Sequence, residues 1–196
     1  MAEAVFYYDF NSPFAYIAAH RVDDVLPVRP HWQPIAFAFL LIDQRREPWS
    51  FDVDGRGPTM EDCERRADAL GLPLQWPEGW PRESYSLLPL RAAVLAEQAG
   101  LLREFSRAAF RQHFSDPQGV RELDGVLAAA VAAGLDPEHV RAHIADADVK
   151  AAVKDATHAA IDLGIFGVPT VQVGDELFWG DDKLEDAAAA LAPHVG

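Results

Sequence analysis

Ser12 and Pro13 change what the chain can do within its first turn of structure. Before them, Ala4-Val-Phe-Tyr-Tyr-Asp9 has the β-branched and aromatic content of a short buried strand. After them, a hydroxyl at the N-cap and a proline at the first helical position mark a helix start. That helix is predicted from about Pro13 to Leu26, ending before Pro27. His31-Trp-Gln-Pro-Ile-Ala-Phe-Ala-Phe-Leu40 reads as a second strand, so the opening is strand, helix, strand, the start of a βαβ unit.

From about Asp43 to Arg82 the chain is rich in Pro, Gly and charge, with one predicted helix from Met60 to Leu70. Loops around Trp49, Trp76 and Trp80 belong here and are expected to form a wall of a substrate pocket. Apolar residues at three- and four-residue spacing then predict helices over Leu87–Ala99, Leu101–Phe114, Val120–Ala133, Pro137–Ala145 and Val149–Leu163. Gly100, Gly134 and Gly164 stand at their ends, where a C′ glycine belongs. Gly164-Ile-Phe-Gly-Val-Pro-Thr-Val-Gln-Val173 is strand-like, Gly174-Asp175 a tight turn and Glu176–Trp179 a short strand. Asp181 or Asp182 is expected to cap a last helix, with Glu185 completing a variant capping box.

The order β-α-β, a long helical stretch, then β-β-α is that of an α/β, thioredoxin-like sheet interrupted by a helical insertion. Residues 1–42 and 164–196 make the thioredoxin-like part, and 43–163 the mainly helical insertion, expected to cover one side of the sheet. Ser12 then occupies the place of the first cysteine of a Cys-x-x-Cys pair, and Ala15 the second. Cys63 is the only cysteine, so an internal disulfide, a dithiol centre and a cysteine metal cluster are all excluded. Its acidic neighbours Glu61, Asp62 and Glu64 would raise its pKa and make it a poor nucleophile.

Acids outnumber bases 31 to 17, for a net charge of -14. That excess argues against a nucleic-acid partner, whose phosphates need basic neighbours. No apolar run reaches the roughly 18 residues of a membrane span, so no membrane partner is expected. The opening lacks a basic n-region and meets an acid at Asp9, so a signal peptide is not expected and the cytoplasm is the expected compartment.

Each candidate site residue also has a plain structural role. Ser12 alone reads as an N-cap, and Pro169 as a strand-starting proline. In a thioredoxin-like frame Val168-Pro169 faces the first helix, and a cis bond there lets the Val168 backbone pair with a bound peptide. The helix start at Asp181 and Asp182 can be simple capping. It can also hold a zwitterion, with free N–H groups for a carboxylate and aspartate for an ammonium. His139 and His143 are at i, i+4 spacing without an acidic third ligand, and read as surface. Trp32, Phe37, Phe39, Trp49 and Phe51 can line an aromatic pocket, but most are expected in the core.

Phe-Tyr-Tyr-Asp-Phe-Asn-Ser-Pro-Phe-Ala-Tyr, Gly-Ile-Phe-Gly-Val-Pro-Thr and Leu-Phe-Trp-Gly-Asp-Asp-Lys-Leu resemble the signatures of a known family. It is the 2-hydroxychromene-2-carboxylate isomerases, related to kappa-class glutathione transferases on the DsbA-like branch of the thioredoxin fold. The resemblance implies a cytoplasmic, glutathione-dependent isomerase (or one using another low-molecular-weight thiol) acting on a small aromatic substrate, with a homodimer as an open assembly. By the same resemblance Ser12 bonds the cofactor thiol beside Pro13 and Phe14. Val168 pairs with the cysteinyl backbone ahead of cis-Pro169, and Asp181 and Asp182 hold the γ-glutamyl end. The family commonly adds an Asn and a Lys after the second strand. Here Asn11 is the only Asn and no Lys precedes Lys150, leaving Arg56 near the expected lysine as its replacement. Arg45, Arg46, Arg56 and Lys183 are the cations nearest in sequence for an anionic substrate. The alternatives are a kappa-like transferase and a non-catalytic thioredoxin-fold binding protein.

Overall fold

The structure, a computed structural model, describes residues 3–117 and 119–192. The chain folds as β1 (Ala4–Tyr8), α1 (Pro13–Val25), β2 (His31–Pro34), α2 (Phe37–Asp43) and α3 (Gly57–Ala69). The helices α4 (Leu87–Gln98), α5 (Leu102–Ser115), α6 (Leu123–Ala132), α7 (Pro137–His143) and α8 (Ala147–Asp162) follow. It closes with β3 (Thr170–Val173), β4 (Glu176–Trp179) and α9 (Leu184–Leu191). Among the described residues no strand falls between Arg82 and Leu163, and no helix is long and apolar enough to cross a membrane. The sheet order is β2-β1-β3-β4, with β1 parallel to β2 and antiparallel to β3. This is the expected DsbA-like thioredoxin arrangement, with helices inserted between β2 and the strand that follows Pro169.

The second strand, expected from His31 to Leu40, stops at Pro34. Pro34 ends the β2 ladder, and Ile35 makes one more bond to the Tyr8 carbonyl at 2.9 Å. Phe37 then donates its amide to the Asp9 carboxylate at 2.9 Å and starts α2. A continuous apolar run carries no period to separate strand from helix, which is why Ile35–Leu40 misleads.

Side chains alternate along β1. Phe6 and Tyr8 face one side, where they meet Trp32, Phe110 and, through Phe10, Phe105. Tyr16 of α1 stacks on Phe114 at 5.1 Å, so sheet, α1 and α5 share one core. Tyr7 faces the other side and packs with Ile35, Leu40 and Ala160. The helical stretch therefore does not cover one side only: its last helix, α8, crosses to the Tyr7 face and packs there with α2.

Candidate active site

Ser12 sits where β1 hands over to α1. Its Oγ accepts the Ala15 amide at 3.2 Å, the expected N-cap, and donates to the Val168 carbonyl at 3.4 Å. The Val168–Pro169 bond is cis, as expected. Val168 also presents an amide N–H with no partner among the described residues. Two segments 156 residues apart thus meet at one hydroxyl.

This point opens into a cavity of about 890 Å³, lined by Ser12, Pro13, Phe14, Val168, Pro169, Asp181 and Asp182. Arg56 is not among the lining residues; its guanidinium donates to the Ser50 carbonyl at 3.3 Å. Of the five aromatic candidates only Trp32 is in the core; Phe37, Phe39, Trp49 and Phe51 line the cavity. Local sequence cannot separate wall from core here, because both demand apolar side chains. Trp80, Phe166 and Trp179 complete the wall, with the Trp49 ring 6.0 Å from Phe14 and 5.8 Å from Trp80.

Three guanidiniums reach the cavity. Arg46 lies 3.8 Å over the Phe166 ring and bonds the Phe166 carbonyl; burial lowers its pKa. Arg82 lies 4.0 Å over the Phe51 ring. Neither has a carboxylate partner among the described residues. The third, Arg66 on α3, spans Asp62 at 2.6 Å and both oxygens of Asp181 at 3.0 Å. Arg45 and Lys183 do not line the cavity, and Lys183 pairs with Asp186 at 2.8 Å.

Asp181 is consequently not the helix cap expected of it. The cap of the short 3-10 turn Asp181–Lys183 is Gly180, and α9 starts from Lys183 without a side-chain cap. Glu185 does not close a capping box either, because Arg21 of α1 takes its carboxylate. Burial pushes the Asp181 carboxyl up, and Arg66 opposes that shift. Behind the pair, burial and then Asp181 and Asp62 push the Cys63 thiol up to about 12, so it is inert as a nucleophile.

Several site residues give no signal in the sequence. Asp9 is buried at the cavity floor and accepts from Asn11 N at 2.8 Å, Phe37 N at 2.9 Å and Ser86 Oγ at 3.0 Å. Burial raises its carboxyl and these three bonds oppose the rise. It ties the turn before Ser12 to α2 and to the start of α4. Asn11 accepts from Trp80 Nε1 at 3.2 Å through its backbone, and its Oδ1 lies 3.3 Å from Nε2 of His113. His113 is fully buried, and burial depresses its pKa to about 3, so the neutral imidazole supports Asn11. Trp80–Pro81, also cis, lines the same wall; the sequence holds a second Trp-Pro pair, Trp76–Pro77, that is not cis, so the dipeptide alone gives no signal. His139 and His143 lie at the surface with ring centroids 4.6 Å apart and planes tilted by 46°, and no group of three metal-ligating side chains occurs among the described residues.

Comparison with known proteins fits this geometry. The family model for a DSBA-like thioredoxin domain matches residues 3–192. A 2-hydroxychromene-2-carboxylate isomerase of Sphingobium xenophagum is 28% identical over 92% of this chain and 93% of its own. Human glutathione S-transferase kappa 1 is 25% identical over 94% of this chain and 88% of its own. The solved structure of a 2-hydroxychromene-2-carboxylate isomerase superposes with a TM-score of 0.84 at 23% identity, covering 98% of this chain and 95% of that one.

Proposed function

The chain belongs to the DSBA-like thioredoxin domain family, and from that premise we propose that it is a glutathione-dependent isomerase of an aromatic-catabolic intermediate. The reaction is of the type that opens a 2-hydroxychromene-2-carboxylate to a trans-o-hydroxybenzylidenepyruvate. One observation carries the reading. The residue facing the cis-proline segment is a hydroxyl, Ser12, in a chain whose only thiol is buried and inert. Such a site can hold a thiol that another molecule brings, but it cannot exchange disulfides.

The residues present fit glutathione at its sulfur end. Ser12 offers an O–H, Val168 an unpartnered amide, and α1 the positive end of its dipole. When bound, glutathione supplies a thiolate that adds reversibly to the conjugated substrate carbon. Ser12 Oγ turns its O–H from the long 3.4 Å bond with Val168 toward the sulfur, while the Ala15 amide still holds its oxygen in place. A hydrogen bond to an ionised group is worth roughly 1.5–3 kcal/mol. A helix N-terminus adds roughly 0.3–1 kcal/mol, up to ~2 when partly buried. At 1.36 kcal/mol per unit, a thiol of pKa about 8.5 falls by about one to three units. Ser12 itself stays protonated throughout. Phe37, Trp49, Trp80 and Phe166 exclude water from the planar substrate, and Arg46 and Arg82 take its carboxylate.

The relation to kappa 1 transferase favours a second reading, conjugation of thiols to electrophiles at the same site. Product analysis separates the two. With 2-hydroxychromene-2-carboxylate and glutathione, chromatography should show the ring-opened isomer and unconsumed glutathione, with little conversion when the thiol is omitted. Stable conjugate instead favours the transferase. No conversion with glutathione present contradicts both.

A further inference from the structure

A zwitterionic γ-glutamyl group has two charges to place, and Asp181 at this end of the cavity is not arranged to take the ammonium. Asp181 is buried, its side chain 6% exposed, and both carboxylate oxygens are taken by Nη1 of Arg66. Arg66 is itself anchored through Nε to Asp62, which Arg65 also pairs. Two guanidiniums thus face two carboxylates, and an ammonium would have to displace a cation held at both ends. Asp182 lines the cavity too, but it is exposed to solvent. An exposed ion pair changes affinity by no more than about fivefold.

The other half of Arg66 is open. The guanidinium lies beside Phe14, 5.8 Å from the ring centroid, next to the Ser12-Pro13 turn, and Arg66 lines the cavity. Its Nε and Nη1 hydrogens are spent on Asp62 and Asp181, whereas Nη2 has no partner among the described residues. A guanidinium edge fixed by carboxylates behind it is a preorganised carboxylate receptor.

We infer that Arg66 is a binding residue of the thiol site, taking the α-carboxylate of the γ-glutamyl end, and that Asp181 positions Arg66 instead of accepting the ammonium. The inference rests on the thiol reading above and deepens it. It makes the carboxylate the recognised charge and the ammonium nearly dispensable.

Three thiol peptides test it, with binding to the intact protein measured by calorimetry. They are glutathione, glutaryl-cysteinyl-glycine (carboxylate kept, ammonium removed) and γ-aminobutyryl-cysteinyl-glycine (ammonium kept, carboxylate removed). Removing the ammonium should weaken binding less than about fivefold. Removing the carboxylate should weaken it tenfold or more, as for a lost charge-assisted bond. Arg66→Met should weaken glutathione by a similar factor and leave the γ-aminobutyryl peptide unchanged. If the glutaryl peptide is the weaker of the two analogues, Asp181 accepts the ammonium and the inference is wrong. Equal binding of all three also overturns it while leaving the thiol reading intact. No binding by any of them overturns the thiol reading itself. The analogue comparison, made on the wild-type protein, decides which charge is recognised. Arg66→Met, or Arg66→Lys if the first does not fold, decides between the guanidinium and the backbone N–H groups at Asp181 and Asp182: unchanged glutathione binding in a folded variant overturns the inference.

Discussion

Replacing Ser12 by alanine removes one oxygen with two separable duties. As an N-cap it holds the Ala15 amide at 3.2 Å, and as a donor it reaches the Val168 carbonyl at 3.4 Å. Loss of the cap costs roughly 0.5–2 kcal/mol of folding stability. Loss of the donor removes a charge-assisted bond to the bound sulfur, roughly 1.5–3 kcal/mol, and leaves the α1 dipole in place. The thiol pKa in the complex should therefore rise by about one to two units. Turnover at neutral pH should fall about ten- to a hundredfold and recover in part at higher pH. Stability alone does not discriminate, because an N-cap without any catalytic duty loses it too. Ultraviolet thiolate absorbance of the glutathione complex, followed across pH in folded wild type and Ser12→Ala, does. Superimposable titrations would refute the reasoning and leave Ser12 a cap.

Three further outcomes follow from the same geometry. Arg46→Met and Arg82→Met should each raise KM for the carboxylate substrate by about tenfold and barely move that for its methyl ester; equal effects on both would contradict carboxylate binding. His113 is held neutral with its pKa depressed to about 3, whereas an unfolded histidine titrates near 6.5. Between those values the unfolded chain binds more protons, so stability falls as pH drops through that window, by up to ~1.4 kcal/mol per unit. Urea unfolding of wild type should lose about 2 kcal/mol more than His113→Gln between pH 6.5 and pH 5, and parallel losses would count against a buried neutral imidazole. Phe110 meets Tyr8 of the sheet, Phe10 of the turn and Tyr16 of α1, so Phe110→Ala should cost about 3–5 kcal/mol. Helix and aromatic signals should melt together, and two separate transitions would show that the helical insertion and the sheet do not share a core.

The legible parts of this molecule are those written in neighbouring residues. Ser12-Pro13 announces a helix start, C′ glycines end α4, α6 and α8, and Glu176–Trp179 appears as the strand expected. Ser12 and Val168-Pro169 become a candidate site once the fold brings them together, because both motifs are short and their order fits one topology. What was hidden depends on partners far away in the chain. Asp181 looks like a cap until Arg66, 115 residues earlier, takes its carboxylate. Asp9 looks like a strand end until Phe37 and Ser86 converge on it. Composition shows an acidic chain, yet the cavity collects three guanidiniums, two of them resting on aromatic rings instead of carboxylates.

The central claim is that this site binds glutathione as a thiolate, and proton release on binding measures it directly. At pH 7.5 a free thiol of pKa about 8.5 is about one-tenth ionised, whereas one lowered by one to three units is half to fully ionised. Calorimetric titration of glutathione in buffers of different ionisation enthalpy should therefore report binding with about 0.4–0.9 proton released. Absence of binding heat, or binding that releases no proton, would contradict the account.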